Sequence, residues 1–332
     1  MTQRDYLLPT ESTPLKGKRC LVTGGAGFIG STLVDALLSQ GSTVRVLDNF
    51  STGFETNLQH LVGSSKVEIV NGDAADSAVV GQVMKDIDFV FHHAAMASVP
   101  RSMREPALCH AWCTTSTVEL LNASAAGKVQ RFVLASTSAA YGDSPFVSKR
   151  ETDPVGPLSP YAAAKLAAES YLQAFHRGFG LETVILRYFN VFGPRQDPQS
   201  EYSAVIPRFV SMILSGERPI IYGDGNQSRD FVYVQDVALA NMLAATMPNV
   251  AGGIFNIGRG ERTTLLELLS TLSNILGKEI EPIHEPKRDG DVRDSLADIT
   301  QARTRLQYEP TVNMDAGLRQ SIDYYQSIVA TA

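Results

Sequence analysis

Short apolar runs alternate with longer amphipathic stretches through the first part of the chain. RCLVTG (19–24) has the unbroken apolar character of a strand, and FIGSTLVDALLSQG (28–41) has the spacing of a helix that stops at Gly41. TVRVLDN (43–49), VEIVNGD (67–73) and DFVFHHAA (88–95) follow as further strands. A helix is predicted over about 106–126, ending before Gly127, and RFVLAS (131–136) is the next strand. A long helix starts near Pro160 and runs to about Gly178, after which LETVILRYFNVFG (181–193) is again strand-like. Strands alternating with helices predict an α/β fold with a parallel sheet covered on both faces and right-handed crossovers.

Beyond about residue 193 the texture changes. PRQDPQSEYSAVIP is loop-rich, GDGNQSRD is turn-like, and later helices and loops are mixed. No Gly/Ser or Pro-rich linker separates this part from the first. It is therefore expected to be a smaller lobe closing over the sheet. Composition fits one large or two smaller domains of a soluble globular protein: 332 residues, 44% hydrophobic, 19% charged and a net charge of -6. An acidic chain with no basic cluster is a poor partner for nucleic acid. The apolar runs are too short to span a membrane, and MTQRDYLLPTESTPLKGKR holds no apolar signal core, so a cytoplasmic location is expected. The three cysteines make no disulfide framework. Cys20 belongs to a strand. Cys109 and Cys113 flank His110 but lack a further ligand pair, so helix packing is preferred to a metal site and no metal is expected.

Candidate chemistry gathers at three strand ends. TGGAGFIG (23–30) lies between a strand and a helix, with Gly24, Gly27 and Gly30 spaced to let backbone approach a pyrophosphate at a helix N-terminus. Asp48 ends the second strand, where a carboxylate accepts from an adenosine ribose and disfavours a 2′-phosphate, pointing to NAD. Asp73 ends the third and is either an adenine contact or a plain turn residue. In YAAAK (161–165), Tyr161 and Lys165 share a helix face. A nearby ammonium is expected to lower the phenol pKa, and the positive nicotinamide ring to add to it, leaving Tyr161 able to take a proton from a hydroxyl. The strand end ASTSAAYG (135–142) offers Ser136, Thr137 and Ser138 and no carboxylate. Arg229 and Arg293, from separate segments, are either surface cations or a bidentate clamp on a diphosphate.

TGGAGFIG, DNFSTG, HHAA, YAAAK, RYFNVFGPRQ and SRDFVYVQDV together resemble the nucleotide-sugar branch of the extended short-chain dehydrogenase/reductase family over nearly the whole chain. The resemblance implies a Rossmann-type doubly wound domain, 1–190, to which 231–260 returns, and a smaller substrate-binding lobe, 191–332. It implies tightly bound NAD, with Phe28, Ile29, Asn49, Ala94, Ala95 and Tyr188 beside the cofactor as well. Tyr161 is then the catalytic base, Lys165 its partner and a ribose ligand, and Thr137 the hydroxyl bonding the reacting O4, with Ser136 structural. Arg229 and Arg293 hold the diphosphate of a UDP-sugar, Asn190 reaches the same diphosphate or sugar, and Ala204, Val205 and Ile206 resemble the loop beside uracil. Apolar faces on the helices near 106–126 and 161–178 resemble those that pair across a two-fold axis, implying a homodimer.

The reaction follows from a missing acid. Dehydratases and decarboxylases of the family usually carry carboxylates after the strand-end threonine, where this chain has Ser138 and Ala139. Without them the resemblance implies 4-epimerisation through a transient 4-keto sugar. ASVPRS (97–102), STSAAYGD, YSAVIPRFV and GDVRDSLADI are most similar to bacterial UDP-N-acetylglucosamine 4-epimerases of polysaccharide pathways. Ser295 stands where epimerases of non-acetylated sugars have a bulky tyrosine, and Ala97, Ser98, Val99 and Ser138 are expected to line the sugar pocket. UDP-glucose or UDP-glucuronate 4-epimerisation is the alternative, followed by a dehydratase or decarboxylase, or a non-catalytic NAD-binding sensor. One stretch departs from the family: WCTTST has Trp112 and Thr115 where an asparagine and a glycine are usual.

Overall fold

The structure, a computed structural model, describes residues 14–198, 204–287 and 293–329. In chain order the first part runs β1 (Arg19–Thr23), α1 (Phe28–Ser39), β2 (Thr43–Asp48), β3 (Val67–Asn71), α2 (Ser77–Val83) and β4 (Phe89–His92). Then come α3 (Val99–Arg104), α4 (Pro106–His110), α5 (Ser116–Ala126), β5 (Arg131–Thr137), β6 (Ser148–Lys149), α6 (Pro160–Phe179) and β7 (Thr183–Tyr188). The rest is β8 (Asn190–Phe192), α7 (Val205–Leu214), β9 (Ile220–Tyr222), β10 (Ser228–Arg229), β11 (Phe231–Tyr233), α8 (Val234–Thr246) and β12 (Ile254–Ile257). It closes with β13 (Thr263–Thr264), α9 (Leu265–Leu276), β14 (Ile283–Glu285), β15 (Asp294–Ala297) and α10 (Met314–Val329).

Seven strands form one parallel sheet in the order β12-β7-β5-β4-β1-β2-β3. Its central strands are apolar without alternation because both faces are covered. Leu33, Val34 and Leu37 of α1 join Val237 and Leu243 of α8 in one core. Leu120 and Leu121 of α5 and Leu172 and Phe175 of α6 build the other. This is the expected doubly wound α/β fold. The chain runs outward from β1 through β2 to β3, then crosses back to β4, so the order reverses between β1 and β4. A crevice at the carboxyl ends of strands beside such a reversal is where α/β sheets bind ligands.

Two predicted elements differ in detail from the structure. The strand-like run 181–193 is two strands in different sheets: β7 lies in the main sheet, whereas β8 pairs with β11. The break falls where Phe189 N–H still donates to Ile257 (2.9 Å) while Asn190 N–H donates to Asp230 (3.0 Å), so the backbone changes partners between neighbouring residues. The helix predicted over 106–126 is continuous but contains a π-turn at Ala111–Thr115 between α4 and α5. The second region packs Phe192, Phe209, Phe231, Leu268, Leu272 and Leu318 into its own core. Its four-stranded sheet, β13-β10-β15-β6, borrows β6 from the stretch after ASTSAAYG. No described helix is long and apolar enough to cross a membrane.

Candidate active site

The turn after β1 is shaped by what glycine lacks. Gly24 has φ +68°, and a Cβ there would lie 2.7 Å from Ala94 N at the end of β4. At Gly30 a Cβ would lie 2.1 Å from the Gly24 carbonyl oxygen. The β1–α1 turn therefore packs against both the helix and β4 in a way no other residue permits. Gly27 caps α1 with no side-chain hydrogen bond to its first amides, which leaves those donors turned toward the crevice. Phe28 and Ile29 open the helix and pack against the core of the second region.

Asp48 is buried at the end of β2. Its carboxylate accepts from Ala26 N–H (2.8 Å) and Phe50 N–H (2.9 Å). It thus ties the glycine turn to β2, and burial raises its pKa against the pull of those two bonds. Asn49 accepts from Ser51 N–H, 3.1 Å. Asp73 accepts from Ala75 N–H (2.8 Å) and, with its other oxygen, from the Trp112 indole N–H (3.1 Å). Ala94 N–H donates to Thr23 Oγ1 (3.2 Å), and Ala95 packs in a small cluster with Met96, Cys109, Cys113, Trp112 and Tyr161.

Thr137, Tyr161 and Lys165 converge at the end of β5. Ser159 caps α6 by accepting from Ala162 N–H (3.2 Å), and Pro160 occupies its first turn, so the helix starts one residue before Tyr161. Ser102 of α3 accepts from Tyr161 N–H, 3.2 Å. The Thr137 hydroxyl faces the Tyr161 phenol closely enough to favour its ionised form, and Thr137 Oγ1 accepts from Ala139 N–H (3.1 Å), which shapes the turn carrying Ser138. Lys165 is buried and donates to the Ala135 carbonyl, 2.8 Å. Burial pushes its pKa down. Without a nicotinamide ring beside it, the phenol pKa is not lowered. Burial drives Tyr161 above its ordinary value, Cys113 adds to the rise, and the Thr137 hydroxyl opposes it. The bond to Ala135 uses one of the three donors of the ammonium.

Behind the reacting face lies polar machinery that sequence reasoning did not find. Ser136 donates to Glu169 (2.5 Å), and Glu169 holds Arg187 through contacts of 2.6 and 3.0 Å, all buried. Arg187 lies over the Tyr141 ring at 4.9 Å, and Tyr141 donates to Asn256 at 2.6 Å. At β4, His92 bridges Thr23 (2.7 Å) and Thr117 (3.0 Å) and burial lowers its pKa strongly. Its neighbour His93 lies 3.5 Å from the Tyr188 hydroxyl and is pushed down to about 3, by burial first and then by Lys165. Tyr188 is anchored by Asn241 at 3.0 Å. The doubled histidine in DFVFHHAA and the arginine opening RYFNVFGPRQ were the available signals; Glu169 and Asn241 had none.

The second region contributes the remaining candidates. β10 and β15 run parallel with Arg229 opposite Ser295. Arg229 donates to the Arg293 carbonyl (3.1 Å), so the two arginines and Ser295 are brought to one edge. Arg293 pairs with Asp224 (3.5 Å) at the surface. Asn190 sits on β8 opposite Phe231. Ala204 caps α7, which Val205 opens, and the Ile206 side chain is buried in the core of this region. Ser98 caps α3 by accepting from Arg101 N–H (3.2 Å), while Ala97 and Val99 are exposed beside it. Among the described residues no His/Cys/Asp/Glu group is arranged to hold a metal.

A glycine cradle at the reversal of a parallel sheet, facing a Thr/Tyr/Lys group, marks the class of dinucleotide-dependent enzymes. The family is given by comparison. The model described as "NAD dependent epimerase/dehydratase family" matches residues 20–258, and the chain belongs to that family, with NAD as its cofactor. UDP-N-acetylglucosamine 4-epimerase from Methanobrevibacter ruminantium M1, solved in complex with UDP-N-acetylmuramic acid, is 40% identical with a TM-score of 0.90, covering 94% of this chain and 99% of that one. UDP-glucose 4-epimerase of Mycolicibacterium smegmatis is 38% identical over 93% of this chain and 99% of its own. UDP-glucuronic acid 4-epimerase from Bacillus cereus, solved with UDP-glucuronic acid and NAD, is 34% identical with a TM-score of 0.87, covering 93% and 99%. The residues present suit NAD: Gly24 and Gly30 let the β1–α1 turn pack tightly on itself and against the residues after β4, and α1 offers first-turn amides that no side chain caps.

Proposed function

We propose that this chain is a UDP-sugar 4-epimerase that interconverts UDP-N-acetylglucosamine and UDP-N-acetylgalactosamine. The observation that carries the reaction type is the end of β5: a Thr137–Tyr161 hydroxyl pair followed by a turn of Ser138 and Ala139, with no carboxylate to drive elimination or decarboxylation. When bound, NAD supplies the hydride acceptor for C4 and a positive ring beside the phenol. Tyr161 takes the O4 proton as C4 is oxidised and returns it when the other face is reduced. Thr137 holds O4 in line, and Lys165 fixes the floor of the site through Ala135 while reaching the cofactor ribose. Asp48 receives the adenosine ribose and Asp73 the adenine. Arg229 and Arg293 clamp the diphosphate so that the 4-keto sugar can turn over about its link without leaving. Ala97, Ser98, Val99 and Ser138 line the sugar.

The acetylated substrate rests on Ser295, a small side chain opposite Arg229 where an N-acetyl group needs room. A homodimer through these helices, α5 and α6, belongs to the same reading, although Leu120, Leu121, Leu172 and Phe175, the apolar face read for it, lie in the core beneath the sheet, and on α6 Tyr171 and Phe179 are what stays exposed. Incubation with UDP-GlcNAc, UDP-glucose and UDP-glucuronate in parallel, followed by NMR of the anomeric protons, tests it. UDP-GalNAc should form fastest, and Tyr161→Phe should slow it by about 10²–10⁴-fold with NAD still bound. Ser295→Tyr should depress the acetylated substrate selectively. Faster conversion of UDP-glucose or UDP-glucuronate by the unaltered protein overturns the substrate, and a 4-keto-6-deoxy or pentose product overturns the reaction.

A further inference from the structure

Trp112 is the only tryptophan in the chain, and four observations mark it out. It lies in the π-turn Ala111–Thr115, which widens the helix by one residue exactly once along α4–α5. The Trp112 carbonyl is taken by the Ser116 hydroxyl at 2.6 Å, so the widened backbone is held from within. The indole reaches out of the helix to the far edge of the sheet and donates to Asp73 Oδ2 at 3.1 Å. Its face is covered by the Arg101 guanidinium, 5.2 Å from the ring centroid, which α3 holds in place through Glu105 at 3.2 Å.

The consequence is for Asp73. Its Oδ1 is fixed by Ala75 N–H at 2.8 Å and its Oδ2 by the indole, so the carboxylate cannot rotate. Each oxygen keeps a further lone pair, and the group stands just past β3, at the carboxyl edge where the crevice opens. A carboxylate locked in one orientation before a ligand arrives loses no freedom on binding it. We infer that Trp112 is a positioning residue for the cofactor: by locking Asp73 it sets the grip on the adenine end of NAD. The inference rests on the placement of Asp73 at the adenine under Proposed function.

Two measurements test it. In the unaltered protein freed of nucleotide, emission on selective tryptophan excitation comes from Trp112 alone. ADP-ribose and NAD should both change it, and nicotinamide mononucleotide should not; a response to the mononucleotide alone overturns the inference without any variant. Calorimetry of NAD binding then compares Trp112→Phe, Asp73→Ala and the double variant, with melting temperatures recorded beside them. Trp112→Phe keeps a ring but loses the donor, and should weaken NAD by about ten-fold, the ratio a hydrogen bond to a charged group is worth. Asp73→Ala should weaken it at least as much, and the double variant no more than Asp73→Ala, because the tryptophan acts through the carboxylate. If Asp73→Ala binds NAD like the unaltered protein, the adenine placement itself fails. If Asp73→Ala weakens binding and Trp112→Phe does not, or the two effects add, that placement stands and the role of Trp112 falls.

Discussion

The two halves of the candidate site are built from different material. On the cofactor side the chemistry is backbone: glycines that admit close approach, uncapped helix amides and the ends of long buried strands. On the side proposed for the sugar nucleotide it is side chain: Arg229 and Ser295 on strands of two to four residues and Arg293 just before one, tied together by a shared carboxylate. Asp230 accepts from Arg259 N–H (2.7 Å), Gly260 N–H (3.0 Å) and Ala297 N–H (3.1 Å), joining β10, β12 and β15 where the ladders are too short to do so. Close packing against it explains Gly258, whose added Cβ would lie 2.7 Å from Asp230 Oδ2. One half is made by the sheet itself, and the other is assembled onto it by long-range polar contacts.

The largest effect that separates the halves should come from the buried pair beneath the catalytic strand. Glu169→Gln leaves the Arg187 guanidinium buried, about 4% exposed, without its counter-charge. Losing one partner of such a pair costs about 3–5 kcal/mol, so urea unfolding should show a large loss of stability together with loss of bound NAD, since Ser136 and β5 move with it. Adding Arg187→Met should recover much of the loss. A midpoint unchanged in Glu169→Gln would show that this network is not what holds β5 in place.

Asp230→Ala should be milder and confined to the other half. Three backbone donors lose their acceptor, at about 1–3 kcal/mol for those that water cannot reach. KM for the UDP-sugar should rise as the edge carrying Arg229 and Ser295 loosens, with NAD content unchanged. Equal loss of NAD would mean that the halves are not built separately at all.

The same division decided what the sequence made legible. The central strands β1, β4 and β5 are covered on both faces, so their apolar runs stand out, and the glycines mark the turn because nothing else fits there. Thr137, Tyr161 and Lys165 could be placed because helix spacing and strand ends are local. Ser136, Glu169 and Arg187 are distant from one another along the chain, and their meeting depends on β5, α6 and β7 being neighbours, which no local pattern records. In the second region, strands of two to four residues carry no period, and SAVIP, loop-like in sequence, opens helix α7 at Val205. Trp112 was visible as a departure from the family, but its bond to Asp73 required the π-turn.

The smallest effect concerns pH, and here the halves should respond in opposite directions. Burial raises Asp230 to about 6 from 3.8. The folded chain therefore holds this proton more tightly than the unfolded one, and the stability it contributes is present below pH 3.8 and lost as pH rises through about 6. His93 is the reverse, lowered from 6.5 to about 3. Its contribution is present above pH 6.5 and lost as pH falls toward 3, because the unfolded chain takes up a proton that the folded chain refuses. At pH 5 that loss is about 2 kcal/mol, at roughly 1.4 kcal/mol per pKa unit. His93→Phe removes this titration while leaving buried His92 in place. Its unfolding free energy should fall by about 2 kcal/mol less than that of the unaltered protein between pH 7.5 and 5. The Asp230→Ala protein should deviate the other way, losing more than the unaltered protein on acidification. Parallel curves for all three would mean that neither buried group keeps its proton balance different from the unfolded chain, and the electrostatic contrast between the two halves would be lost.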